Sequence, residues 1–220
     1  MFTDITQQFN HIAQRIKDSE VILDPWPHMF ITELFTPDYY RNVCEFEQFE
    51  QLELSEENGR QQYTFNQYHE QYTEFTSKIF SLLSDKFGYS TQSSVPATTN
   101  FWVDTDTLEI NDIHIDAFFD TPFTISGQVY LPKDMEQRQY GTALYKYIGN
   151  NLLDDAMQDE GTAHPHIAKP ECVDKFQLVR RVPFYPNCMF VTTNNKDSWH
   201  QAPCISRGDV RKSLMWRWKV

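Results

Sequence analysis

Ile113-His114-Ile115-Asp116 is the stretch on which the reading of this chain turns. Large apolar and polar residues alternate there, as they do in an extended strand, where side chains two apart share a face. His114 and Asp116 then project together, with Ile113 and Ile115 turned the other way. An imidazole beside a carboxylate is half of a metal site, and the other half must come from elsewhere in the chain. His200, in the strand-like Ser198-Trp199-His200, supplies the second histidine. A His-x-Asp pair alone is a common tripeptide, and a lone strand histidine is more often an ordinary core or surface residue. The order and context of the three residues lift the pair above that background.

Working outward, the chain after Gly88 is built from short alternating segments. Asn100 to Asp104, Ile113 to Phe119, Phe123 to Leu131, Thr142 to Tyr147, Gln177 to Val182, Cys188 to Thr193 and Val210 to Trp218 read as strands. Gly, Pro, Asn and Asp turns separate them, the pattern of a sandwich or jelly roll. The stretch Gly149 to Asp174 interrupts it: acidic residues come first, then Pro165 and Pro170. It is expected to be irregular, an insertion or lid joining two strands near the site.

The first third reads as helical. Thr3 or Asp4 can cap a helix whose apolar residues Ile5, Phe9, Ile12, Ala13 and Ile16 recur at helical spacing. His28 to Phe35 looks like a strand. Thr36-Pro37 then opens a second helix, proline being tolerated in a first turn. A third helix, Asn66 to Phe87, carries the stripe Tyr68, Tyr72, Phe75, Ile79, Leu82 and Leu83 and stops at Gly88. The fold class expected is mainly β with N-terminal helices, in one domain over 1–220. Residues 1–90 form a mostly helical support, and 95–220 a jelly-roll core.

On the last strand Arg211, Ser213, Met215 and Arg217 share one face, and Lys212, Leu214, Trp216 and Trp218 the other. An anionic ligand held between sheets needs a buried cation, or its charge is desolvated without compensation. Guanidinium suits that task, since it stays charged when buried and can grip a carboxylate with two parallel hydrogen bonds. Arg207 is the competitor, but Ser206-Arg207-Gly208-Asp209 reads as an exposed turn. Lys133 is a further candidate.

Taken together, His114-x-Asp116, His200 and Arg211-x-Ser213 resemble the 2-oxoglutarate/Fe(II)-dependent oxygenases, in their prolyl 4-hydroxylase-like branch. Tyr130, in Gly127-Gln128-Val129-Tyr130-Leu131, matches a tyrosine that helps bind the co-substrate in that family. Gly141-Thr142-Ala143-Leu144 is similar to its Gly-Gly-x-Leu strand, with Thr142 in place of the second glycine. Asn194 to His200, and Asp24-Pro25-Trp26-Pro27-His28 to Tyr39, extend the likeness over about residues 24–220. The resemblance implies a double-stranded β-helix of the cupin type with helices packed on one sheet. It implies Fe(II) on His114, Asp116 and His200. It implies 2-oxoglutarate on Arg211, Ser213 and Tyr130, and admits ascorbate as an auxiliary reductant. The activity implied is hydroxylation of a C–H bond with O₂, releasing succinate and CO₂. The substrate would be a peptide side chain such as proline, or a small molecule. The alternative reading is a cupin-like metal-binding or structural jelly roll without oxygenase activity.

A formal net charge of −12, with basic residues scattered except near the C-terminus, argues against a nucleic-acid partner. No apolar run is long enough to span a membrane, and the N-terminus lacks the pattern of a secretion signal. Cys44, Cys172, Cys188 and Cys204 form no Cys-x-x-Cys pair or disulfide framework, which points to a reducing cytoplasm. His164-Pro165-His166 is a second histidine pair, which could contribute a metal site or part of the substrate mouth, though histidines in a proline-bearing loop are usually just solvated. His11, His28 and His69 read as structural, and Phe118 and Trp199 as core aromatics near the site.

Overall fold

The computed structural model describes residues 5–48, 52–57, 60–65, 70–89, 97–106, 112–116, 124–157 and 166–219. The elements are, in chain order, α1 (Ile5–Asp18), β1 (His28–Ile31), α2 (Pro37–Cys44), β2 (Leu52–Glu57), β3 (Arg60–Phe65), α3 (Glu70–Phe87), β4 (Thr98–Asp104), β5 (His114–Ile115), β6 (Thr124–Tyr130), β7 (Ala143–Tyr147), α4 (Leu152–Asp155), β8 (Ala156–Met157), β9 (His166–Ala168), β10 (Phe176–Arg181), β11 (Cys188–Asn194), β12 (His200–Gln201) and β13 (Arg211–Lys219). Every strand pairing is antiparallel. A seven-stranded sheet runs β1-β11-β6-β13-β4-β3-β2, and a six-stranded sheet runs β10-β7-β12-β5-β9-β8.

The helices form as their sequences dictate. Ile12 and Ile16 of α1, and Tyr72, Phe75, Ile79 and Leu83 of α3, are buried on one side of their helices. They pack on the outward face of the larger sheet with Val103, Val129, Met189, Leu214, Trp216 and Trp218. Helix α3 ends where Gly88 takes φ +74°. The Tyr89 N–H reaches the Ser84 carbonyl and the Gly88 N–H that of Asp85, a closure glycine makes without strain. At α2 the cap is remote: Gln8 of α1 donates to the Thr36 hydroxyl and accepts from the Thr36 N–H. The N-cap residues Thr3 and Asp4, and the start of the third helix at Asn66 to His69, lie outside the described residues.

Two expectations need correction. The N-terminal support is not helical throughout, because Leu52–Glu57 and Arg60–Phe65 pair as a hairpin that extends the larger sheet beyond β4. Glu57 and Arg60 are direct partners, so Asn58-Gly59 is the two-residue connection. Asn-Gly between alternating runs is a strong hairpin signal, and it was legible in the sequence. Nor is Gly149 to Asp174 an irregular insertion. Among its described residues, β8 pairs with β9 and β9 pairs with β5, so the segment forms the edge of the smaller sheet. Tyr147 and Lys175 both donate to the Asp155 carboxylate and hold the segment to β7. Their donation keeps that carboxyl below its ordinary range.

The space between the sheets is lined by Trp26, Tyr130, Tyr140, Leu144, Val182, Phe184, Phe190 and Ile205. Gly141 is required there: a Cβ would fall 1.5 Å from the Val182 carbonyl oxygen. The outer side of the smaller sheet has its own cluster, which includes Ile113, Ile115, Phe176 and Trp199.

Candidate active site

The alternation read at Ile113 to Asp116 holds. Ile113 and Ile115 are buried in the outer cluster, while His114 and Asp116 turn the other way. Strand β5 is only His114–Ile115, with Asp116 just past its end. Strand β12 lies beside it, and His200 is the direct cross-strand partner of His114. That register sets the two imidazoles 4.4 Å apart, centroid to centroid. Asp116 closes the triangle, with Oδ1 3.6 Å from His114 Nε2 and Oδ2 3.8 Å from His200 Nε2. One ligand atom from each residue lies within 4.8 Å of the others, the one grouping of this kind among the described residues.

Both histidines are oriented the same way. Nδ1–H of His114 donates to the Asp112 carbonyl (2.8 Å), and Nδ1–H of His200 to the Ser198 carbonyl (2.9 Å). A carbonyl can only accept, so each ring donates from Nδ1, the arrangement that turns Nε2 toward a metal. Two imidazoles and one carboxylate, at the end of a pair of two-residue strands, are a donor set that fits Fe(II).

The inward face of the larger sheet is polar. Tyr130 and Thr142 are hydrogen-bonded through their hydroxyls at 3.1 Å, Thr142 donates to Gln128 Oε1 (3.4 Å), and Gln128 donates to Ser213 Oγ (3.1 Å). Burial raises the Tyr130 phenol, against the pull of Arg211, so Tyr130 is neutral at pH 7 and can donate. Thr142, which stands where the family pattern has glycine, thereby joins the row that contains both Tyr130 and Ser213.

Arg211 is 1% exposed, beside Tyr130 and Phe184. Its Nε–H donates to the Tyr140 carbonyl (2.9 Å) and its Nη1 to Asp104 Oδ2 (2.7 Å). Asp104 is fully buried and also receives Arg60 through Nε (2.6 Å). The sequence reading missed Asp104 and Arg60. The sign was present, since Asp104 is a charged residue directly after the apolar run Phe101-Trp102-Val103 of its strand. The expectation of a free two-pronged guanidinium changes accordingly, because the Nε edge is spent on Tyr140 and one Nη1 proton on Asp104. A ligand carboxylate can be met only by the protons that remain.

Arg207 and Lys133 are exposed, as the turn reading of Arg207 requires. Gly208 takes φ +85° in that turn, and the Asp209 N–H closes it on Ser206. His11 bonds the Glu33 carbonyl and His28 is buried, so both are structural. Trp199 is core. Phe118, His69, His164 and Pro165 lie outside the described residues, as does the side chain of His166.

No family model matches the chain, and no curated protein matches it by sequence. Solved structures do match. The epimerase SnoN, crystallised with Fe³⁺, α-ketoglutarate and nogalamycin RO, aligns at TM-score 0.54 and 13% identity over 97% of this chain and 84% of its own. A prolyl 4-hydroxylase from Phytophthora capsici aligns at TM-score 0.57 and 10% identity, over 100% of this chain and 66% of that one. HygX from Streptomyces hygroscopicus, solved with nickel, 2-oxoglutarate and hygromycin B, aligns at 0.52 and 8% identity, over 87% and 82%. In fold, the chain is that of the 2-oxoglutarate- and iron-dependent oxygenases, prolyl 4-hydroxylases included.

Proposed function

We propose that this chain is an Fe(II)- and 2-oxoglutarate-dependent dioxygenase that hydroxylates a C–H bond, with succinate and CO₂ as co-products. The observation that carries the reading is the His114–Asp116–His200 triangle with both Nδ1 protons committed to backbone carbonyls. When bound, the iron and co-substrate supply O₂ activation, which no side chain of the chain provides. His114, Asp116 and His200 would hold the ion. Arg211 neutralises the distal carboxylate of the co-substrate, and Tyr130, with Ser213 beside it in the Gln128–Thr142 row, orients it by hydrogen bonds. Asp104 and the Tyr140 carbonyl fix the guanidinium in advance, so little side-chain freedom is lost when ligand arrives. The aromatic lining of the intersheet space keeps water from the reacting groups.

In the same reading the two sheets are the halves of a double-stranded β-helix, 1–220 is one domain, and the compartment is a reducing cytoplasm. The four free thiols support the last point. Both substrate classes have precedent in fold: SnoN and HygX were solved with small molecules, and a prolyl 4-hydroxylase has the same architecture.

The test is anaerobic loading with Fe(II), then O₂ exposure with 2-oxoglutarate and ascorbate, with succinate measured. Slow succinate release that needs both iron and 2-oxoglutarate is expected. Stoichiometric iron without succinate, across peptide and metabolite pools, would leave the metal-binding cupin instead.

A further inference from the structure

Three arginines project from the inward face of the larger sheet. Arg60 and Arg211 share the buried Asp104 carboxylate. Arg217 lies further along β13, six residues and about 20 Å from Arg211 at strand spacing. Among the described residues it has no carboxylate partner, and its Nε is buried without a hydrogen bond. A guanidinium half-withdrawn from water with no counter-charge is costly unless something anionic completes it.

Its surroundings hold it in place. The Arg217 Cζ lies 4.8 Å from the centroid of the Trp102 ring, and Arg60 lies against the same ring at 3.9 Å. Trp102 is itself pinned, its indole N–H donating to Gln62 Oε1 at 3.0 Å. Stacking on a fixed aromatic removes much of the freedom an arginine loses on binding. Directly across the strand from Arg217 is Ser126. Its hydroxyl accepts from the Asn194 amide at 3.0 Å, and the Asn194 Oδ1 is buried without a donor. One face of one sheet thus offers an unmet cation and, two strands away and one pair further along, an unmet acceptor.

We infer that Arg217, stacked on Trp102, is a second anion subsite on this face. It takes a carboxylate of the substrate, and Asn194 Oδ1 takes an amine or hydroxyl hydrogen of the same molecule. The inference rests on the reading of the intersheet space as the active site, and it deepens that reading from "peptide or small molecule" to a carboxylate-bearing substrate with a nearby hydrogen-bond donor. It also separates the two cationic positions. Arg211, already half satisfied by Asp104, serves the co-substrate, and Arg217 serves the substrate.

Binding tests this without depending on turnover. A pool of free L-amino acids and a matched pool of their C-terminal amides are equilibrated by dialysis with Ni(II)-loaded and metal-free protein, in the presence and absence of 2-oxoglutarate. Retention of acids over amides by about tenfold or more is expected for the native chain, falling to near parity in Arg217→Gln and partly restored in Arg217→Lys. Nickel stoichiometry and a cooperative melt certify that each variant is folded. Equal retention of acids and amides, or of neither, by the native chain overturns the subsite. So does loss of 2-oxoglutarate affinity in Arg217→Gln as large as in Arg211→Ala, which would make Arg217 the co-substrate anchor. Absence of iron-dependent succinate formation sinks the oxygenase reading by a separate measurement, while acid selectivity lost in Arg217→Gln would still establish the subsite.

Discussion

The two faces of the seven-stranded sheet are made from the same strands and do opposite work. On β13, Leu214, Trp216 and Trp218 point outward, where α3 covers them. The Trp216 indole donates to Tyr72 Oη (2.8 Å) and that of Trp218 to the Thr76 carbonyl (3.1 Å). Arg211, Ser213, Met215 and Arg217 point inward, into a field of Asp104, Gln128, Tyr130 and Thr142. The outward face is closed and apolar. The inward face is polar, and Arg217 Nε and Asn194 Oδ1 are left wanting partners on it. A sheet can be held together from one side only, which frees the other for groups that would be poor glue. Substitutions on the outward face should therefore register in stability, and those on the inward face in ligand affinity.

The largest effect is expected where the inward face meets the smaller sheet. His114→Ala and His200→Ala each remove one of three ligands, and metal-dependent turnover should fall to background. That is a greater loss than the roughly 10- to 100-fold typical of partners behind the ligands. Both histidines sit in two-residue strands, so the metal-free melting temperature should barely move. Elemental analysis and calorimetry on the same samples check both halves. Stoichiometric metal in either variant would refute the triangle.

On the outward face, Trp216→Ala should cost about 3–5 kcal/mol of unfolding free energy, since it empties a buried volume and takes the indole donor from the Tyr72 hydroxyl, which keeps Thr99. Metal stoichiometry in the folded fraction should be unchanged. A variant of native stability that had lost metal would dissolve the distinction between the faces.

Arg211→Ala tests the inward face. The distal carboxylate of 2-oxoglutarate would be left without its cation, at about 2–5 kcal/mol, with iron retained. Asp104 would still be held by Arg60, so the loss of stability should be smaller than the loss of affinity. Asp104→Asn should raise the half-saturating 2-oxoglutarate concentration less than Arg211→Ala does, because the guanidinium is loosened and not removed. Titration of both variants settles the order, and unchanged affinity in Arg211→Ala would discard the anchor.

How far the chain could be read follows from which interactions are local. The His114–Asp116 pair rests on alternation, a property of neighbours, and it was legible. So were β4, β6, β7, β10, β11 and β13, and α3 with its stop at Gly88. The Leu52–Phe65 hairpin carried its Asn58-Gly59 signal in plain view, but the surrounding glutamates and glutamines masked β2, whose described side chains are all exposed. The pairing of Asp104 with Arg211 spans 107 residues, and no local pattern announces a partner so far away. The same holds for β9 against β5: a short strand between two prolines reads as loop until a neighbour's edge captures it.

The smallest effect concerns that captured edge. Asp155 accepts from Tyr147 Oη and Lys175 Nζ, each at 2.5 Å, and so fastens the segment around α4 and β8 to β7. Donation by Lys175, then by Tyr147, lowers the Asp155 pKa from 3.8, and the same contact raises that of Lys175 from 10.5. A lowered carboxyl contributes stability that is complete above its unfolded pKa and fades as pH falls through the folded one. A raised ammonium contributes stability that is complete below its unfolded pKa and fades as pH rises through the folded one. The fastening is therefore whole across neutral pH and fails only at the acid and alkaline extremes. Asp155→Asn should lower the melting temperature at pH 7 by less than Trp216→Ala does, and should flatten the dependence of stability on pH below the ordinary carboxylate range. Because β9 pairs with β5, amide exchange at His114 and Ile115 should quicken in the same variant, although no metal ligand is altered. Exchange there unchanged, with the melt lowered, would mean that the fastening serves only the outer surface and that the metal strand is held by β12 alone.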